Sequence, residues 1–244
     1  MTDSTSLRKP GRRNVVITGA GRGLGLGLAK RFAERGDHVV GTARSPAQAE
    51  KLAGVAEQVV ALDMASDASI DDAASALADL GHIDVLINNA GINATAVGAS
   101  DSGRGTMELG REHFLAVMDV NAAGPMLVTR SLVPLLQEAK GSLVINVSSQ
   151  LGAMTFGDKH GNDIAYNASK AALNMVTVRT ATDLAADDVA LVAIHPGWVR
   201  TDMGGAAASL GIDESSSAIA NTIDGLTLLD SGRFLRWDGT DHDW

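Results

Sequence analysis

Cysteine is absent from this 244-residue chain, and its absence excludes disulfides, thiolate metal sites and cysteine nucleophiles. Aromatic residues make up only 3%, so a pocket walled by stacked rings is disfavoured, although Phe156 and Trp198 stand in segments that could supply one. Positive charge is in deficit. A net charge of −9 argues against nucleic acid or an anionic membrane surface as a partner. No apolar stretch reaches the ~18 residues that a membrane span needs, and the N-terminus lacks a signal-peptide core, so a cytoplasmic protein is expected. Tandem repeats and long linkers are also missing.

What remains is an ordinary globular composition, 45% hydrophobic and 20% charged, with 27 glycines. Its size suits one large α/β domain. Residues 1–13, with Arg8, Lys9, Arg12 and Arg13 among Ser, Thr, Pro and Gly, read as a flexible, solvated tail; residues 14–244 read as the domain. Apolar and β-branched runs at 14–18, 38–43, 58–62, 83–87, 142–147, 189–194 and 233–237 predict strands. Helical patterns alternate with them, which predicts a doubly wound parallel sheet with helices on both faces. The Gly/Ser/Ala-rich segment 92–110 predicts an irregular binding loop or lid. Pro125, inside the helical run that starts at Arg111, predicts a bend just after Asn121.

The first strand runs into Gly19-Ala20-Gly21-Arg22-Gly23-Leu24-Gly25 and then a helix. Strand, glycine turn and helix together form a setting in which bare backbone N–H groups approach a pyrophosphate. The second strand ends at Ala43-Arg44, where an acidic residue would bind a ribose 2′-OH. Arg44, with Arg22 converging from the glycine loop, suits a 2′-phosphate instead, which favours NADP(H) over NAD(H). Asp63, followed by Met64, either accepts from an adenine amino group or caps the next helix. The fourth strand empties into Asn88-Asn89-Ala90-Gly91, at the carboxyl end where an open parallel sheet places its ligand.

Tyr166 and Lys170 lie four apart in the helical run 165–186 and so share a face. A phenol titrates near ~10, and a cation one turn away would stabilise the phenolate. Lowering the phenol by two to three units asks ~3–4 kcal/mol of the lysine and its surroundings, and would make Tyr166 a general acid/base. His195, beside Pro196, reads as a structural strand-end residue.

These motifs stand in order over nearly the whole chain past residue 13, and by them the chain resembles the short-chain dehydrogenases/reductases. Thr18-Gly19-x-x-x-Gly23-x-Gly25 is similar to that family's cofactor signature and Asn88-Asn89-Ala90-Gly91 to its second motif. Tyr166-x-x-x-Lys170 is similar to the catalytic pair, and Pro196-Gly197 to Thr201 to the nicotinamide-side motif. Trp198 to Met203 and Ser231-Gly232-Arg233-Phe234 resemble the C-factor/sniffer-like carbonyl reductase branch.

The resemblance implies a single-domain Rossmann-type fold of about seven strands, no metal, and hydride transfer between a small-molecule carbonyl or alcohol and NAD(P)(H). Cofactor contacts would come from Gly19, Arg22, Gly23, Leu24, Gly25, Arg44, Asp63, Met64, Asn89, Ala90, Gly91, Pro196, Gly197, Val199 and Thr201, with Tyr166 and Lys170. Tyr166 would exchange the proton, and Lys170 would hold the nicotinamide ribose and lower the phenol. Ser149, or alternatively Ser148, would position the substrate oxygen, and Asn121 would support a water leading to Lys170. The interval from Ser149 to Tyr166 is a few residues longer than the family's. The extra residues fall in the loop 155–164, bringing Phe156, His160 and Asn162 near the site mouth. A substrate loop is expected near 197–214. The helices bearing Asn121 and Tyr166 resemble those that pair subunits, implying a homodimer or homotetramer. Two other readings stand beside this one: an NAD-dependent secondary-alcohol dehydrogenase using the same residues, and a non-catalytic dinucleotide-binding scaffold or redox sensor.

Overall fold

Seven strands align parallel in the order β3-β2-β1-β4-β5-β6-β7: β1 Asn14–Ile17, β2 His38–Ala43, β3 Gln58–Ala61, β4 Val85–Asn88, β5 Ser142–Val147, β6 Val189–His195 and β7 Phe234–Arg236. The computed structural model describes residues 11–156 and 163–244. The helices between the strands are α1 Gly23–Glu34, α2 Glu50–Ala53, α3 Asp67–Leu77, α4 Arg111–Met118, α5 Gly124–Glu138, α6 Ile164–Asp183 and α7 Ile212–Gly225. Every residue of β5 and β6 is buried, which explains why these runs are mostly apolar on both faces rather than alternating.

Successive strand residues serve opposite faces. Val15 and Ile17 join Leu28 and Phe32 of α1 and Ile219 and Ile223 of α7 in one core. Val16, between them, joins Ile70 and Leu77 of α3 and Leu132 and Leu136 of α5 in the other. Gly27 lets α1 lie close on α7, since a Cβ there would stand 2.6 Å from Ile212 Cγ2. The chain winds outward in both directions from β1, which pairs with both β2 and β4. That reversal opens a crevice at the strands' carboxyl ends, the place where such sheets bind ligands.

Three expectations are corrected by the fold. Arg13 is not tail. It is buried, with Nε and Nη2 donating to Asp37 at 3.0 and 2.6 Å and Nη1 donating to Asp224 at 2.8 Å; Arg12 pairs with Glu57. Charges so held belong to the domain, and Arg8 and Lys9 lie outside the described residues. The helical run from Arg111 is interrupted by a π-turn over Asp119–Ala123 rather than by a simple proline kink. Pro125 has no N–H for the carbonyl of Asn121, and the Gly124 N–H bonds to Asp119 O instead, which widens the turn. Asp63 does not cap α3: the N-cap is Ser66, whose Oγ accepts from Ser69 N at 3.3 Å.

Candidate active site

The crevice is an open cleft of about 1330 Å³. Every residue expected above to contact the cofactor lines it, as do Ser148 and Ser149, while Asn121 is fully buried behind it. Thr18 joins its two sides: Oγ1 accepts from both Asn89 N (3.0 Å) and Ala90 N (3.1 Å). Asn89 Nδ2 in turn donates to the carbonyls of Thr18 and Gly19 at 3.0 and 3.2 Å. The two glycine-bearing motifs are therefore stitched together, and two glycines make the fit possible. Gly19 has φ +64°, and a Cβ there would sit 2.9 Å from Ala90 Cα. A Cβ on Gly25 would sit 2.5 Å from both Asn89 Nδ2 and Gly19 O.

The N-terminus of α1 opens on this cleft with no side-chain cap and no acidic residue in its first turn. Its N–H groups and dipole are thus available to an anion. A dinucleotide pyrophosphate fits that arrangement, so the residues present suit a nicotinamide cofactor.

Tyr166 and Lys170 come from α6, whose N-cap, Asp163, accepts from Tyr166 N at 3.0 Å. The Tyr166 hydroxyl hydrogen-bonds Ser149. Ser149 Oγ also accepts from Leu151 N at 3.2 Å in the short turn that follows β5. Ser148 is directed away: its Oγ donates to Asn174 Oδ1 at 2.6 Å beneath α6. Gly152 allows that turn to rest on α6, because a Cβ there would stand 2.6 Å from the Lys170 carbonyl carbon.

The electrostatics differ from the expected pairing. Burial pushes the Tyr166 phenol up to about 12; the Ser149 hydrogen bond opposes this and the Asp163 charge adds to it. Burial pulls Lys170 down to about 8. Lys170 Nζ donates to Val147 O at 2.8 Å and lies 5.7 Å from the centre of the Tyr166 ring. Desolvation is thus the largest influence on both groups and shifts each toward its neutral form. The Asn121 side chain bonds to the loop after β4 and to α6. Its Oδ1 accepts from Ile92 N at 2.8 Å, and its Nδ2 donates to Ile92 O and Ser169 Oγ at 2.7 and 2.9 Å. Gly91 stands between the two groups, for a Cβ on it would be 3.3 Å from Asn121 Oδ1 and 3.5 Å from Lys170 Nζ.

At one end of the cleft Arg44 is exposed and makes no ion pair among the described residues, whereas Arg22 is engaged. Arg22 Nη1 donates to Asp202 Oδ2 at 2.5 Å, so its guanidinium joins the glycine loop to the segment after Thr201 instead of standing unpaired beside Arg44. At the other end, Phe156, Trp198 and Met203 line the cleft. The Trp198 indole is fixed by donating to Gly204 O at 2.8 Å. His195 is buried, its Nδ1 accepting from Gln150 N at 3.3 Å, and burial with the His242 and Arg236 charges lowers it to about 3. A neutral imidazole that braces the turn after β5 matches the structural reading. His160 and Asn162 lie outside the described residues. No group of three or more acidic or histidine side chains that could hold a metal occurs among the described residues.

Asp163 and Arg104 also line the cleft, and neither was singled out from sequence. A signal for Asp163 was there, an Asp immediately before an apolar helical run. Arg104, within an irregular loop, gave none.

With this geometry, the chain belongs to the short chain dehydrogenase family, whose model matches residues 13–209, and within it to a sniffer-like carbonyl reductase branch. It is an oxidoreductase of that family. The C-signal of Myxococcus xanthus is 37% identical over 164 residues, covering 67% of this chain and 94% of that protein. The NADPH-bound carbonyl reductase from chicken fatty liver is 30% identical, with a TM-score of 0.87 over 96% of this chain and 99% of that one. Carbonyl reductase Sniffer of D. melanogaster is 30% identical, with a TM-score of 0.87 over 96% and 100%. The 3-ketoacyl-(acyl-carrier-protein) reductase from Brucella melitensis, complexed with NADH, is 31% identical, with a TM-score of 0.80 over 93% and 97%. Relatives of both cofactor types support a nicotinamide dinucleotide here. No helix among the described residues is long and apolar enough to cross a membrane.

Proposed function

We propose that the protein interconverts a ketone or aldehyde and the corresponding alcohol with NADP(H), Tyr166 acting as general acid/base. The observation that carries this reading is the convergence of Tyr166, Ser149 and Lys170 in the cleft onto which the uncapped α1 terminus opens. The bound nicotinamide would supply or accept the hydride. Ser149 orients the substrate oxygen, and the Tyr166 hydroxyl gives it a proton during reduction. With its phenol near 12, Tyr166 holds that proton across the neutral range. Lys170 holds the nicotinamide ribose. Asn121 fixes the backbone at Ile92 behind Lys170.

Gly19, Gly23, Leu24 and Gly25 hold the pyrophosphate, Asp63 and Met64 the adenine side, and Asn89, Ala90 and Gly91 the floor. Pro196, Gly197, Val199 and Thr201 hold the nicotinamide side. Arg44 reads the 2′-phosphate. The engagement of Arg22 with Asp202 supports a second reading, NAD(H), in which that end of the cleft has no dedicated phosphate site. A cytoplasmic homodimer or homotetramer formed from one domain per chain completes the proposal.

Fluorescence titration with NADPH and with NADH, followed by turnover of a carbonyl panel, tests it. Tighter NADPH binding with carbonyl reduction supports the first reading. Tighter or equal NADH binding moves it to alcohol oxidation, and binding of neither revives the scaffold reading.

A further inference from the structure

We infer that Asp163 is a positioning residue for Tyr166: its two carboxylate oxygens clamp the first turn of α6 to the loop after β4 and place a negative charge beside the phenol. The inference rests on the reading of Tyr166 as the acid/base. Each oxygen has its own duty. Oδ1 accepts from Tyr166 N at 3.0 Å, and Oδ2 accepts from Ala94 N at 2.9 Å, 69 residues away in sequence. A second tie runs beside the first, since Ile164 N donates to Arg104 O at 3.1 Å. Arg104 Nη1 approaches Asp163 Oδ2 at 4.0 Å.

An ordinary N-cap needs one acceptor atom and tolerates solvent. Asp163 uses both oxygens, is only 7% exposed and lines the cleft. Carboxylates avoid such sites unless something repays their desolvation, and the two backbone donors do so here. The charge is felt by the phenol, where it acts with burial to disfavour ionisation. The other titratable or charged groups around Tyr166 among the described residues are Lys170, turned onto Val147 O, Arg104 beyond Asp163, and His195, held neutral across the cleft. Ser149 supplies an uncharged hydroxyl.

Tyr166 is the sole tyrosine of the chain, so phenolate ultraviolet absorbance titrates it directly, without turnover. The test compares wild type with Asp163→Asn and Asp163→Ser. Serine has one oxygen: it caps Tyr166 N but cannot also reach Ala94 N, and it carries no charge. Expected for Asp163→Ser is a modestly lower Tm, because the buried Ala94 N–H loses its acceptor, with phenolate absorbance appearing at lower pH and kcat for reduction down about ten- to a hundredfold as the hydroxyl loses its register. NADPH affinity by fluorescence should be unchanged. Asp163→Asn should move the phenolate midpoint the same way. Midpoints equal to wild type in both variants, with full kcat in Asp163→Ser, would reduce Asp163 to a helix cap and overturn the inference. Tyr166→Phe separates the two levels: if it keeps turnover, the acid/base reading falls, while the phenolate midpoints still report on Asp163.

Discussion

Replacing Lys170 with methionine should stabilise the protein while abolishing its activity. The lysine is 3% exposed, and burial lowers its pKa from 10.5 to about 8. That difference of about 2.5 units corresponds to ~3 kcal/mol by which the fold disfavours the charged side chain at neutral pH. Methionine, of similar length and apolar, removes the penalty. Against this, Val147 O loses its donor at 2.8 Å, and a buried carbonyl left without a partner costs ~1–3 kcal/mol. The balance is a protein up to ~2 kcal/mol more stable at pH 7, a rise of a few degrees in Tm for a chain of this size.

The pH dependence isolates the effect. Below about 8 the lysine is protonated in both states and the penalty is fully present. Between about 8 and 10.5 the unfolded chain binds the proton and the native one does not, so wild-type stability rises with pH through that window. Lys170→Met lacks the group, so its advantage should shrink as pH rises and reverse by about pH 10. Urea unfolding of both proteins at pH 7 and near pH 10 measures this, other titrations cancelling in the difference. A variant that is clearly less stable at pH 7, or a difference that does not move with pH, would refute the argument that desolvation governs Lys170.

Tyr166→Phe removes the hydroxyl that meets Ser149. Turnover should fall by about 10²–10⁴-fold with NADPH affinity nearly intact; retained activity would refute the role. Alcohol oxidation needs the phenolate, so in wild type its rate should still be climbing at the highest pH the fold tolerates, whereas reduction should show no phenol limb near neutrality; a plateau in oxidation near pH 8 would contradict the raised phenol. Arg44→Ala should weaken NADPH more than NADH, and equal losses would mean that no 2′-phosphate is read there. Gly25→Ala forces a Cβ to within 2.5 Å of Asn89 Nδ2 and Gly19 O. Overpacking there should cost ~1–3 kcal/mol, read as a lower Tm and as weaker binding of both cofactors.

The sequence by itself determined what depends on neighbours along the chain. Strand positions followed from short β-branched runs, the α1 turn from its glycines, and the shared face of Tyr166 and Lys170 from helical spacing. Periodicity is a local property, and it survived folding with shifts of a few residues at element ends. What tertiary structure decided was where each charge ends up. Arg13 looked like part of a solvated tail, yet its partners Asp37 and Asp224 lie 24 and 211 residues away. Arg22 looked available for a phosphate, yet it meets Asp202, 180 residues on. The widened turn around Asn121 was legible only as a bend, because the bond from Gly124 N–H to Asp119 O forms only once the helix is built. The Tyr166–Lys170 pair was legible as a pair but not in its electrostatic sense. Adjacency on a helix predicts attraction, whereas the surrounding sheet and loops withdraw water, and that desolvation, set by residues distant in sequence, is the largest influence on both groups, with the Asp163 charge adding to it at the phenol.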